Sequence, residues 1–169
     1  MIDSKKIVEK LLQQFRFNKV KPYLVGDVLD FGGNEGELKP FVKGNYTIVN
    51  YDHSPMFNKT FDTIVLLAVI EHMEVSDVFD TLKEFKVALR ENGNIFLTTP
   101  TPSSKLILET LAFFRILDKQ NIEEHKHYWN QDELTNLALQ SGFDVVKYKK
   151  FQFGLNQYII LKHSIAEAI

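Results

Sequence analysis

The chain has 169 residues, 44% of them hydrophobic, a formal net charge of −2 and no cysteine. That length suits one domain with a substantial core. The charge balance excludes a global basic field for nucleic acid, and the missing cysteine excludes disulfides, thiolate metal sites and a thiol nucleophile.

The opening segment, MIDSKKIVEKLLQQFRF, places Ile7, Val8, Leu11, Leu12 and Phe15 at helical spacing between charges. It predicts a helix over about 3–16 and not a secretion signal. No stretch approaches the roughly 18 uninterrupted apolar residues of a membrane span. The expectation is a cytoplasmic protein of one domain, without a membrane span and without a nucleic-acid partner.

A loop with Pro22 leads to an apolar strand over 26–31. Residues 35–42 read as a short helix ending near Pro40, and Gly44-Asn45 as a turn. The β-branched and aromatic run 46–51 is a strand. Residues 53–60 form a loop with Pro55, and FDTIVLLA (61–68) is a buried strand. Ser76 reads as the N-cap of a helix over 77–90, closed by Asn92-Gly93. Residues 95–99 are a strand stopped by Pro100 and Pro102. Ser103-Ser104 can cap a helix to about residue 117. That helix is apolar on nearly every side, so it needs cover from the sheet, from a dimer contact or as a lid over an acceptor. A helix over 131–141 ends at Gly142, and strands 143–149 and 157–162 are joined through Gly154-Leu155-Asn156.

Strand and helix alternate, which predicts a mostly parallel α/β sheet with helices on both faces; the closing pair predicts a C-terminal antiparallel hairpin. Ligands of such sheets sit at the carboxyl ends of strands, where strand order reverses. There the sequence reads VLDFGGNEG (28–36): an acid, Asp30, then Gly32, Gly33 and Gly36. Glycine lets the backbone turn sharply and a ligand approach closely. The spacing fits neither the dinucleotide pattern G-x-G-x-x-G nor a phosphate loop, which argues against a nicotinamide dehydrogenase.

The stretch resembles D-x-G-x-G-x-G, the first motif of class I S-adenosylmethionine (SAM)-dependent methyltransferases, with Asn34 in place of the middle glycine. Asn tolerates left-handed backbone geometry better than other non-glycine residues. Asp52, at the end of the second strand, is placed to accept ribose hydroxyls. FDTIVLLAVIEHM (61–73), LKEFKVALRENGNIFLTTPTP (82–102) and EHKHYWNQDELTNLALQSGFDVV (124–146) are similar, in order, to later segments of that family. The resemblance implies a Rossmann-like fold divided into an N-terminal helix and loop (1–25), a SAM-binding core (26–102), a helical insertion or lid (103–130) and a C-terminal helix and hairpin (131–169). It implies SAM as cofactor, a small-molecule or glycan acceptor, and leaves a homodimer open. Only residues 53–60 separate Asp52 from the FD strand, too few for a crossover helix and a strand. The sheet is therefore expected to lack one edge strand of the usual seven.

Carried over residue by residue, the resemblance gives cofactor contacts at Asp30, Gly32, Gly33, Asn34, Gly36, Asp52, His53, Leu67 and Ala68. His72, His125 and His127 are the candidate general bases or acceptor contacts, with Glu71, Tyr128 and Trp129 on the acceptor side. His125 and His127, two apart, would face one side of an extended segment. A metal there would need a third ligand such as Glu124 or Glu71, and none is expected. The other reading of the chain is a catalytically silent nucleoside-binding relative or partner subunit, motivated by Asn34 and the short connection after Asp52.

Overall fold

The computed structural model describes residues 4–33, 35–50, 58–107, 110 and 124–164. Strands β1 (Val28–Phe31), β2 (Tyr46–Val49), β3 (Phe61–Leu67), β4 (Leu89–Pro100), β5 (Phe143–Phe151) and β6 (Asn156–His163) form one sheet in the order β2-β1-β3-β4-β6-β5. The first four run parallel, and β6 is antiparallel to both β4 and β5. Among the described residues no strand lies outside β2. The shortened sheet and the antiparallel ending match the expectation from sequence.

Alternation along each strand sorts the core into two layers. Leu29, Phe31, Ile64, Leu66, Ile95, Leu97, Ile159 and Leu161 face one side. There helices α2 (Val75–Ala88) and α3 (Gln131–Gln140) cover them with Val78, Leu82, Phe85, Leu134 and Ala138. Val28, Val65, Phe96, Tyr158 and Ile160 face the other, packed with Phe17 and Val20 of α1 (Ser4–Val20). Burial on both faces explains why FDTIVLLA reads as a continuous apolar run. Helix α3 begins with a capping box: the Asn130 side chain accepts from the Glu133 N–H, and the Glu133 carboxylate accepts from the Asn130 N–H.

Several elements differ from expectation for physical reasons. Helix α1 runs to Val20, past the expected 16, and its core contribution is Phe17 and Val20, whereas Ile7, Leu11 and Phe15 are exposed. Residues 35–42 form turns and a single 3-10 turn, Lys39–Phe41, and not a helix. Pro40 lacks the N–H an α-turn would use, and Gly36, at φ 75°, has already bent the chain back. Helix α2 starts at Val75, without a side-chain cap from Ser76. It ends at Ala88, and β4 begins at the next residue; Asn92-Gly93 lies inside that strand, where the pairing with β3 shifts register. The β5–β6 turn comprises Gln152, Phe153, Gly154 and Leu155, so Asn156 is already in β6. Of the apolar helix expected from Ser103, the described part is a 3-10 turn, Pro102–Ser104, followed by helical residues 105–107 and 110; the rest lies outside the described residues.

Candidate functional site

Strand order reverses between β1 and β3, and the glycine loop rises at that point. Gly32 has φ 80°, and a Cβ on it would sit 2.6 Å from Val69 Cγ2. A Cβ on Gly33 would sit 2.3 Å from both Cγ and Oδ2 of Asp30. Both glycines are thus required by what lies beneath them, and they leave bare backbone facing the carboxyl ends of the strands. The Gly32 N–H donates to the Val49 carbonyl at 2.7 Å, tying the loop to β2.

Asp30 supports the loop from below. Its side chain is buried and accepts a hydrogen bond from the Tyr46 hydroxyl. Burial pushes its carboxyl up to about 6 against the opposing effect of that bond, with the Glu37 carboxylate adding repulsion. The same burial, with Asp30 beside it, pushes the Tyr46 phenol up. A buried carboxylate held by one phenol favours a cationic neighbour, which is the charge a sulfonium or ammonium group would bring.

Across the switch point, β3 ends at Leu67 and Ala68 takes φ 58°, its N–H donating to the Thr98 carbonyl at 3.1 Å. That left-handed residue directs the chain into a 3-10 turn, Ile70–His72. Glu71 is fully buried on it, accepts from the Thr99 hydroxyl at 3.1 Å, and is pushed up to about 7 by burial. The half-buried Arg16 of α1 lies within electrostatic reach of both Glu71 and Glu37. The His72 and His125 rings meet edge to face with centroids 4.8 Å apart. Burial lowers the pKa of both; for His125, with His72 adding to the effect, the value falls to about 4. One ligand atom from each of Glu71, His72 and His125 lies within 4.8 Å of the others.

The segment 124–130 is fixed to this turn, because the Lys126 N–H donates to the Glu71 carbonyl at 2.7 Å. The two expected histidines part company along it. His125 Nδ1 lies 3.0 Å from the Tyr128 hydroxyl. His127 instead packs on Trp129, its Nε2 3.3 Å from Glu133 Oε2 but outside hydrogen-bonding geometry. Trp129 is buried in the core, and its Nε1–H donates to the Ile70 carbonyl at 3.4 Å. Gln157 secures the segment by donating to the Trp129 and Pro100 carbonyls at 2.5 and 3.2 Å and accepting from Tyr148 at 2.8 Å.

The structure therefore brings Asp30, Gly32, Gly33 and Gly36 together on one side of the switch point, with Leu67 and Ala68 opposite. It gathers Glu71, His72, His125 and Tyr128 into one cluster, and it places His127 and Trp129 apart from that cluster. Asn34, Asp52 and His53 lie outside the described residues, as do Pro55, Met56 and Phe57. Tyr46, Thr99 and Arg16 belong to the site without having been singled out; only Thr99 carried a signal, its place in the TTPTP stretch. A depression lined by Gly26, Asp62 and Arg90 lies at the opposite ends of the strands, where Arg90 bridges Asp27 and Asp62.

A family model described as a methyltransferase domain matches residues 4–148. A tRNA U34 carboxymethyltransferase of Campylobacter curvus (strain 525.92) is 44% identical over 117 residues, covering 68% of this chain and 36% of that protein. The chain spans 36–44% of the length of the four curated relatives it matches. Among solved structures, the pyocyanin biosynthetic protein PhzM superposes with a TM-score of 0.66 at 15% identity, covering 90% of this chain and 55% of PhzM. The glycopeptide N-methyltransferase MtfA, solved with S-adenosylhomocysteine (SAH), superposes with a TM-score of 0.63 at 12% identity, covering 89% and 86%. These two show the fold.

Proposed function

The chain belongs to the methyltransferase-domain family, and we propose that it transfers a methyl group from SAM to a small-molecule or glycan acceptor. One observation carries this reading. Bare glycine backbone stands at the switch point, and the space a Cβ on Gly32 would need is filled by Val69, two residues before the buried Glu71 that starts the histidine cluster. A cofactor shelf and an acceptor wall are thus joined through one side chain.

SAM, when bound, supplies a methyl group on a sulfonium already activated for displacement. Gly32, Gly33 and Gly36 would line its methionine and ribose side, with Asp30 supporting them from below; the resemblance adds Asn34, which lies outside the described residues. By the family resemblance Asp52 and His53, which lie outside the described residues, would serve the ribose, and Leu67 and Ala68 would offer backbone carbonyls to the amino group. Glu71, His72, His125 and Tyr128 line the acceptor side, with His127 and Trp129 behind them. His72, whose pKa burial lowers, is the group on this wall that would take a proton from a hydroxyl acceptor, a contribution of about 10²–10⁴-fold. For the rest, the chain holds the acceptor in line, which orientation alone can make worth several kcal/mol.

A second reading, an RNA acceptor, is favoured by the names of the curated relatives. The net charge of −2 supplies little phosphate attraction for it. Labelled methyl from SAM, followed into RNA and into the small-molecule and glycan fractions of an extract, separates the two. Label in RNA alone overturns the small-acceptor reading. A melting shift with SAH but no transfer to any fraction would instead fit the silent relative, and no shift at millimolar SAM or SAH would remove the cofactor reading.

A further inference from the structure

The cluster at the carboxyl ends of β3 and β4 admits a second chemistry, in which a bound ion takes the place of His72 as the group that activates the acceptor. We propose that Glu71, His72 and His125 form a binding site for one divalent first-row transition-metal ion, which presents an oxygen atom of the acceptor to the methyl donor.

The donor set is the first argument. Two imidazoles and one carboxylate are a recurrent three-ligand set for zinc and for non-haem iron, and they leave coordination positions open for substrate or water. Ligand atoms in one shell, at bonds of about 2.0–2.2 Å, lie roughly 3–4.4 Å from each other. Here the three are already within 4.8 Å, so closing on an ion takes a small movement.

The second argument is the outer layer. Metal-ligating histidines hold their other ring nitrogen on a backbone or side-chain partner, which fixes the ring and its tautomer. His125 Nδ1 is engaged by the Tyr128 hydroxyl at 3.0 Å, leaving Nε2. The His72 ring is bonded by the backbone of Glu124. The Glu71 carboxylate accepts from Thr99 through Oε2. Each of the three thus has a partner besides the other two. The backbone adds to this, since the Lys126 N–H bond to the Glu71 carbonyl locks the segment bearing His125 onto the turn bearing Glu71 and His72.

The third is contrast within the chain. His127, two residues on, turns to Trp129 and Glu133, so the clustering is not a general property of the segment. An ion at the cluster would lower the pKa of a bound hydroxyl and orient it, which selects acceptors with an oxygen donor. The catalytic part of the proposal rests on the methyl-transfer reading; the binding part does not.

The test uses the full chain, stripped with chelator and dialysed. Titration with Co²⁺, read by its visible d–d absorption, and with Zn²⁺ and Mn²⁺ by calorimetry should give one equivalent bound. Glu71→Gln and His125→Ala should each weaken binding at least tenfold, and His127→Ala should leave it as in the wild type. Circular dichroism confirms that each variant is folded, and Glu71→Gln preserves the side-chain shape. No binding of any of the three ions by the wild type, or equal binding by His125→Ala, overturns the site. The SAH-induced melting shift, recorded on the same samples, reports the glycine loop alone. Metal binding without that shift removes the methyl-transfer reading and keeps the ion; the shift without metal binding does the reverse.

Discussion

Gly33 and Asp30 are a pair in which each fixes what the other can be. A methyl group on Gly33 would lie 2.3–2.7 Å from all three carboxyl atoms of Asp30. The carboxyl is buried and held by Tyr46, so it cannot swing away at low cost. Gly33→Ala should therefore cost about 1–3 kcal/mol of stability, a fall of several degrees in Tm, and weaken SAH more than tenfold; an unchanged SAH affinity would mean the loop is not the cofactor shelf. Asp30 also sets a pH dependence. Its folded pKa is raised from 3.8 to about 6, so the folded state holds the proton that the unfolded chain releases, and stability falls as pH rises through that window. The groups facing it, the Tyr46 phenol and the Glu37 carboxylate, do not supply a countercharge. Asp30→Asn should match the wild type near pH 4 and melt higher above pH 6, by up to about 2–3 kcal/mol. Paired melting curves across pH 4–8 read the difference, which isolates Asp30 from the carboxylates of Asp27, whose pKa Arg90 lowers, and Asp62, whose pKa the Asp27 N–H and then Arg90 lower.

Elements were legible wherever local pattern decided them. Phe61–Leu67 is one strand because the β-branched Thr63, Ile64 and Val65 run straight into Leu66 and Leu67, and α3 stands out by its apolar spacing before Gly142. The local geometry of the candidate site was legible where backbone or sequence neighbours carry it, as in the tight turn at Gly32 and Gly33 and the adjacency of Glu71 and His72. Legibility failed where distant partners rule. Arg90 leaves the end of α2 to bridge Asp27 and Asp62, so Asn92-Gly93 falls within a strand despite reading as a helix stop. The pairing of His125 with His72 in place of His127 depends on the Glu71 carbonyl gripping the segment, which no spacing reveals. Gln157 is a similar case: it read as the start of a strand, yet its side chain joins β6, β5, the end of β4 and Trp129 through three hydrogen bonds. Gln157→Leu keeps the bulk but strands two carbonyls and a hydroxyl. It should lose about 2–4 kcal/mol in urea unfolding, and a loss under 1 kcal/mol would show that water replaces those bonds.

At the scale of the whole molecule, the sheet is asymmetric about its switch point. Beyond β3 lie β4, β6 and β5; beyond β1 lies only β2, with no further strand among the described residues. A nucleoside cofactor laid across the loop would meet a deep wall on its methionine side, built from Gly32, Gly33, Asp30 and Ala68. On its base side only β2 stands beyond β1 among the described residues. Affinity in such a site should be weighted toward the homocysteine end. Calorimetry with SAH and with S-ribosylhomocysteine, which lacks the adenine, tests that weighting. Removing the adenine should raise Kd by no more than about tenfold, or ~1.4 kcal/mol, less than the penalty expected for Gly33→Ala. A loss of a thousandfold or more would mean that the base end, and not the homocysteine end, carries the affinity.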